Sequence, residues 1–356
     1  MTTATIIVPT RNRADRLTTL LRHLDRQRIA ANESFDVIIA FDGDRAADTL
    51  YKPSNYAVSI IELPRVGISA AKNRAIAQAR GDFIILVNDD IEPSPTFVHQ
   101  HFAAQRSGHP IVLGDAPFCS IVSPTLFDQC IAQTGMIFGY PSMQAGRQYG
   151  FRTAWNLNLS IRADLIRDMP GPFAESLRPC MYEDLELARR IIGKERGIYF
   201  HPQARARHNH RYTFEGYLRR EAMLGTTAPN LWNVNRDCFV AIFGQPLDAL
   251  VETARRVVNI DNTDAHRLLR ELSAFAVEPC DNDDSQLIAM FYRAHMPLKR
   301  RAFRCGMIAA TQRSDIEWNA LADVADQSLD DDDVFCSLAS MGSFDDSDSA
   351  IAAAAC

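Results

Sequence analysis

The sequence predicts an α/β fold: an α/β/α sandwich continued by a mainly α-helical extension. Two observations carry that expectation. In the first third, short apolar runs alternate with segments of helical periodicity, the pattern of a mostly parallel sheet with crossover helices. Beyond about residue 213 the strand signals fade and only helical spacing persists. The division expected is 1–212 for the sandwich, 213–322 for the helical extension and 323–356 for an acidic tail of disordered composition.

Taken in order, Thr5-Ile6-Ile7-Val8 reads as a buried strand. Leu17, Leu20, Leu21 and Leu24 then follow the i, i+3, i+4, i+7 rule of an amphipathic helix. Residues 35–40 and 58–63 are the second and third strands. Ile68, Ala71, Ala75, Ile76 and Ala79 line a second helix, with Gly81 placed as its stop. Phe83-Ile84-Ile85-Leu86-Val87 is apolar throughout and suits a central strand covered on both faces. Residues 115–150 show no clean period and read as a long irregular connection. Strand character returns over 154–161 and 197–200, with a helix over 183–192 between them. Leucine-rich helical repeats over 247–258, 268–275 and 287–291 define the extension.

Composition narrows the functional classes. At 47% hydrophobic and 23% charged residues the chain is of soluble globular type. No run approaches the roughly 18 to 20 apolar residues of a membrane span. The opening MTTATIIVPTRNR lacks the basic start and long apolar core of a secretory leader, so the cytoplasm is the expected compartment. Eight scattered cysteines without a C-x-x-C pair suggest reduced thiols. The net charge of −6 is an end effect. Residues 322–356 hold nine Asp and no Lys, Arg, Glu or His, so residues 1–321 carry +3. That balance argues against a general nucleic-acid binder.

In open α/β sheets, ligands bind beyond the carboxyl ends of the strands. All four of the first strand ends deliver polar or turn-forming residues there: Pro9-Thr10-Arg11-Asn12-Arg13, Asp42-Gly43-Asp44, Pro64-Arg65-Val66-Gly67 and Asn88-Asp89-Asp90. Paired carboxylates at the end of a buried strand call for a cation, and oxygen ligands suit Mg²⁺ or Mn²⁺. A plain turn is the competing reading of Asn88-Asp89-Asp90. Glu183 and Asp184 open a helix, where acidic residues also favour the macrodipole; the functional reading is a general base. Arg205, Arg207, His208, His210 and Arg211 form a basic cluster able to hold a diphosphate, or merely a solvated loop.

Together these segments resemble family-2 glycosyltransferases of the GT-A fold. The resemblance runs over about residues 4–212 and rests on Ile6–Arg13, Asp42-Gly43, Val66–Ala75 with Gly81–Ile84, Asn88-Asp89-Asp90 in the place of the D-x-D motif, Asn158–Arg162, and Glu183-Asp184 with Leu185 and Arg189. Asn88 departs from the motif's first Asp, and Pro170–Glu175 replaces the usual acceptor-side loop. The resemblance implies transfer of a sugar from a nucleotide diphosphate, usually UDP, to an acceptor hydroxyl with inversion. Asp184 would be the base and Glu183 its neighbour orienting the helix or acceptor. Pro9, Thr10, Arg11, Arg13, Asp42, Arg65, Lys72, Asn88 and Asp89 would bind the nucleotide sugar. Asp90 and His208 would hold Mn²⁺ or Mg²⁺. Trp155, Asn158, Arg207 and Arg211 would contact acceptor or diphosphate. The acceptor is a glycan, a lipid-linked molecule or a small molecule.

Two other functions compete. A sugar nucleotidyltransferase would be expected to carry a Gly-rich phosphate loop after strand one, and Pro9–Arg13 has no glycine. A catalytically impaired binding or scaffold protein on the same fold gains weight from Asn88 and loses it to Asp90 and Asp184. The helical extension is a candidate for acceptor binding, homo-oligomerisation or peripheral contact with the inner face of a membrane. The last rests on Lys299, Arg300, Arg301 and Arg304 interleaved with Met296, Leu298 and Phe303, against the reading of a solvated helix face.

Overall fold

The computed structural model describes residues 2–43, 50–178, 181–192, 197–258, 263–281 and 284–312. Asp44 and the tail expected over 323–356 lie outside them. The chain forms two compact units whose segments interleave. The first comprises 1–119, 142–175 and 183–210; the second comprises 120–141, 176–182 and 211–356.

The first unit is built on β1 (Thr2–Thr10), α1 (Ala14–Leu24), β2 (Glu33–Asp42), β3 (Ala57–Leu63), α2 (Ile68–Ile76), β4 (Phe83–Val87), β5 (Ile91–Pro93), α3 (Phe97–Arg106) and β6 (Ile111–Gly114). Its eight-stranded sheet begins β3-β2-β1-β4, all parallel. The apolar runs explain the middle positions. Every residue of β4 is buried, as are Ala4–Thr10 of β1. β3 is the edge strand, and Ile60 there is exposed.

Helix α1 buries the four leucines that its periodicity singles out. Gly81 has a different role from the helix stop expected. Helix α2 already ends at Ile76, and a Cβ at Gly81 would come within 2.5 Å of the Thr5 backbone nitrogen. The glycine is there so that two segments of the backbone can touch, and Thr5 Oγ1 accepts the Gly81 N–H at 3.1 Å.

Within the irregular-looking 115–150 stretch the second unit takes α4 (Leu126–Gln133), and the first takes the short strand β7 (Gln148–Tyr149). Helix α4 is signalled by Thr125 and Asp128. Asp128 N–H donates to the Thr125 hydroxyl at 3.2 Å, and Thr125 N–H returns the bond to the Asp128 carboxylate at 2.9 Å.

Three further strands and one helix complete the first unit: β8 (Asn158–Arg162), α5 (Glu183–Ile191), β9 (Ile198–His201) and β10 (Ala206–His208). β8 lies between β4 and β6, antiparallel to both, and the sheet closes in the order β8-β6-β9-β7. β10 pairs with β5 in a separate antiparallel ribbon.

In the second unit α4 is joined by α6 (Phe214–Val234), α7 (Arg236–Phe243), α8 (Leu247–Val258), α9 (Thr263–Ala276) and α10 (Ser285–Gln312). Helices α6 and α10 cross at two glycines. A Cβ at Gly225 would strike the Phe303 carbonyl at 1.9 Å, and one at Gly306 the Ala222 carbonyl at 2.0 Å. This tight packing corrects the membrane-surface expectation for α10. Lys299, Arg301 and Arg304 are buried, as is Leu298, so these side chains are not a surface available to anionic lipid. Among the described residues no helix is long and apolar enough to cross a membrane.

Candidate functional site

Strand register assembles the first part of the site. β1 and β4 run parallel with Ile7 opposite Leu86, so three residues further on Thr10 falls beside Asp89. Their side chains meet: Thr10 Oγ1 donates to Asp89 Oδ2 at 2.7 Å. Both are buried. From the turn after β1, Arg13 Nη1 reaches Asp89 Oδ1 at 3.2 Å and Asp90 Oδ2 at 3.4 Å. One helical turn on, Arg16 Nη1 lies 3.3 Å from the same Asp90 oxygen. Burial pushes the Asp89 carboxyl above the usual carboxylate range, against the opposing pull of Arg13 and Thr10.

The β5/β10 ribbon brings in the imidazoles. β5 begins directly after Asp90, and its Ile91 pairs with His208. The ribbon continues with Asn209 N–H donating to the Asp90 carbonyl at 2.7 Å. His208 Nε2 therefore sits 3.4 Å from Asp90 Oδ1, and His210 Nδ1 sits 3.2 Å from Asp90 Oδ2. His208 also stacks on Phe118 with centroids 4.9 Å apart. Burial raises the Asp90 carboxyl, but the contacts with His208 and His210 outweigh it and hold the group well below its ordinary value.

Asp90, His208 and His210 each offer one ligand atom, all within 4.8 Å of one another. A first-row divalent ion with bonds of about 2.1 Å sets its ligand atoms about 3.0–3.4 Å apart. The 3.4 and 3.2 Å separations run to different oxygens of Asp90, so each imidazole lies beside the carboxylate with which it would share an ion. Asp90 Oδ1 is buried and receives no aligned hydrogen bond, which also fits an ion as its partner. One carboxylate with two imidazoles suits Mn²⁺ and its transition-metal neighbours better than Mg²⁺, which prefers oxygen.

Two further strand ends, after β2 and β3, were expected at the site. Asp42, at the end of β2, accepts the Val66 N–H at 2.6 Å and the Gly67 N–H at 3.0 Å on Oδ1, so its carboxylate organises the turn that carries Arg65. Arg65 is exposed, Arg11 and Asn88 are half-buried, and Pro9 is buried in β1. Trp155 is half-buried in the segment leading to β8.

Four expected ligand-contact residues have other partners. Lys72 is buried and its Nζ lies 3.0 Å from Glu183 Oε1 and 4.8 Å from the Phe173 ring centre, so it ties α2 to α5 instead of facing phosphate. Its neighbour Asn73 clasps Phe173 through both its N–H and its carbonyl, at 2.9 and 2.8 Å. Asn158 is fully buried in the sheet. It donates to the carbonyls of Asp115 and Ala204 at 2.9 and 2.8 Å, and its oxygen faces His101 Nε2 at 2.8 Å. Arg207 alternates with His208 along β10, points to the opposite face and pairs with Glu92 at 2.7 Å. Arg211, in the second unit, makes a two-pronged pair with Asp128 at 3.1 and 2.7 Å. Arg16 is the residue the sequence did not single out, and His210 entered there only as a member of the basic cluster. Their signals were present: Arg16 is i+3 from Arg13, and His210 repeats His208 at i+2.

Asn158 gives a direct test of that correction. Asn158→Ala leaves two buried carbonyls and a buried imidazole without their partner. It should cost about 2–4 kcal/mol of stability, read by chemical denaturation. Ligand affinity of the folded protein should stay unchanged.

At the base helix, Asp184 Oδ1 accepts the Leu185 N–H at 2.8 Å. Burial and the adjacent Glu183 charge push the Asp184 carboxyl up to about 7, with Lys72 opposing. Such a value suits a group that must take a proton near neutrality.

Buried paired carboxylates with imidazole and guanidinium partners meet at the carboxyl ends of parallel strands, the place where open α/β sheets bind their ligands. Residues 5–162 match the model of glycosyl transferase family 2. The match takes in Asp89 and Asp90; Glu183, Asp184, His208 and His210 lie beyond it.

The chain is 26% identical over 210 residues to the uncharacterized protein y4gI of Sinorhizobium fredii, which covers 52% of the chain and 22% of that protein's length. Among solved structures, TarS of S. aureus is similar at 14% identity and a TM-score of 0.46, over 86% of this chain and 55% of that one. The TarS 1–349 structure in complex with UDP-GlcNAc scores 0.46 over 88% and 92% of the two chains, at 14% identity. The mannosyltransferase PcManGT from Pyrobaculum calidifontis, with GDP-Man and Mn²⁺, scores 0.42 at 14% identity over 94% and 83%. At that distance these likenesses bear on neither donor nor metal.

Proposed function

We propose that this chain transfers a sugar from a nucleotide diphosphate donor, UDP-linked in the first instance, to an acceptor hydroxyl with inversion at the anomeric carbon. The observation that carries this reading is the cluster of Asp89, Asp90, His208 and His210 at the carboxyl end of β4, within and just beyond a family 2 segment.

Asp90, His208 and His210 would hold the divalent cation. When bound, that cation supplies positive charge against which the departing diphosphate is stabilised. The chain's own residues do the rest. Arg13 presents its guanidinium at the rim, and Thr10 fixes Asp89 so that the paired carboxylates keep their orientation. Asp42 holds the Val66 and Gly67 amides, keeping Arg65 and the turn on the nucleobase side. Pro9, Arg11 and Asn88 complete the donor side, and Trp155 remains the candidate acceptor contact. Asp184 takes the proton from the acceptor hydroxyl, while the Lys72–Glu183 pair holds the base helix.

The test is a thermal-shift panel of nucleotide sugars with and without Mn²⁺. A donor at 100 times its dissociation constant adds about 2.7 kcal/mol, so one member should raise the melting temperature only when Mn²⁺ is present. Asp90→Ala should then weaken Mn²⁺-dependent donor binding by about 100-fold or more, since even outer partners of metal ligands cost 10- to 100-fold. A panel with no shift for any nucleotide sugar would remove the proposal.

A further inference from the structure

We propose that Arg16 is the resident counter-ion of Asp90, which a divalent cation displaces and thereby turns toward the donor diphosphate. The proposal rests on the donor and metal reading above and adds a residue and a coupling to it.

One oxygen, Asp90 Oδ2, is shared by three groups: Arg13 Nη1 at 3.4 Å, Arg16 Nη1 at 3.3 Å and His210 Nδ1 at 3.2 Å. Arg16 Nη1 is also 3.5 Å from His210 Nδ1. All four separations exceed the 2.7–2.9 Å of a tight charge-assisted bond. Arg16 therefore touches two of the three residues that would ligate a cation, Asp90 and His210, and it touches them loosely. Arg16 places its positive charge against the Asp90 carboxylate and beside the His210 ring, and a divalent ion held by Asp90 and His210 competes with it directly. The side chains of Arg13 and Arg16 are 46% and 40% exposed, so their guanidiniums can move without disturbing the core.

Charge gives the consequence. Asp89, Asp90, Arg13 and Arg16 already sum to zero. A divalent cation arriving alone brings two positive charges into the cluster. A nucleotide diphosphate sugar arriving alone brings two negative ones. Arriving together they restore neutrality, and the displaced guanidinium gains a phosphate partner. Each should therefore strengthen the other's binding, by the same factor in both directions.

Calorimetric titration of the full chain decides it. MnCl₂ alone should bind Arg16→Gln about fivefold more tightly than wild type, because a competing positive charge is gone. With Mn²⁺ saturating, UDP-glucose or GDP-mannose should bind Arg16→Gln about tenfold more weakly, because the guanidinium's phosphate contact is lost. Arg16→Lys, which keeps the charge, should lie near wild type for Mn²⁺ alone. Opposite signs from one substitution are not produced by a general structural loss, and an unchanged melting temperature verifies folding. Equal or weaker Mn²⁺ binding by Arg16→Gln would overturn the counter-ion role. If wild type bound Mn²⁺ but neither nucleotide sugar, the donor reading would fail while the Mn²⁺ comparison still decided the displacement.

Discussion

Asp184→Asn should retain donor binding and lose transfer by about 10²- to 10⁴-fold, the contribution of a positioned base. The substitution is isosteric and keeps an oxygen for the Leu185 N–H. What it removes is a proton acceptor whose carboxyl stands at about 7, raised by burial and the Glu183 charge. Wild-type activity should accordingly rise with pH through about 7 as the carboxyl ionises. The same shift fixes a stability prediction of opposite sense. The folded value lies above the ordinary 3.8, so the proton stabilises the fold fully below about 3.8 and that stabilisation is lost as pH rises through about 7. Asparagine never carries the buried charge. The variant should melt higher than wild type at pH 8, by about 2–4 °C for each kcal/mol gained, with the gap narrowing as pH falls. A variant that is inactive and also less stable at pH 8 would point to damage at the helix instead of loss of a base.

Lys72→Ala should destabilise the protein by about 3–5 kcal/mol in the absence of any nucleotide, because it leaves the Glu183 carboxylate buried without its counter-ion. The pair is 3.0 Å apart, with side chains 3% and 9% exposed. The cation also covers the Phe173 ring, whose backbone Asn73 clasps from the next position of α2. Replacing both members with apolar residues, as in Lys72→Met with Glu183→Leu, should recover most of the loss. Urea denaturation of the two singles and the double measures this coupling. The alternative is separable: if Lys72→Ala unfolds like wild type but binds donor poorly, Lys72 is a phosphate ligand and the ion pair is incidental. The proton balance offers a second readout. Lys72 lowers the Asp184 carboxyl in the intact protein, so any activity left in the variant should need a higher pH.

Much of the sheet was legible because burial on both faces writes long apolar runs. β4 appears in the sequence as an uninterrupted Phe-Ile-Ile-Leu-Val, and β1 and β2 carry the shorter runs Ile6-Ile7-Val8 and Val37-Ile38-Ile39. Helix α1 was equally plain from four leucines. β5 and β10, three residues each, are too short to carry a period, yet they set His208 beside Ile91 and so beside Asp90. Helix α4 escaped notice because its main signal is the Thr125–Asp128 cap, inside a stretch of Gly, Pro and Phe. The antiparallel insertion of β8 between β4 and β6 is a matter of strand pairing, which local pattern does not encode.

The candidate site divides the same way. Asp89, Asp90, His208, Glu183 and Asp184 stood out because carboxylates and imidazoles at strand ends and a helix start are visible residue by residue. Basic and amide side chains were harder to read. Lys72, Asn158, Arg207 and Arg211 carry the chemistry of ligand contacts, and each is taken by a protein partner far away in sequence.

The sequence alone determined the α/β class, the run of strand ends and the acidic pair at the end of β4, because these follow from periodicities of two and 3.6 and from local turn chemistry. Tertiary structure decided which carboxylate each cationic side chain meets. A long charged side chain reaches several ångströms in any direction, and only the arrangement of distant segments fixes what it meets: Glu183 for Lys72, and Asp90 for Arg16.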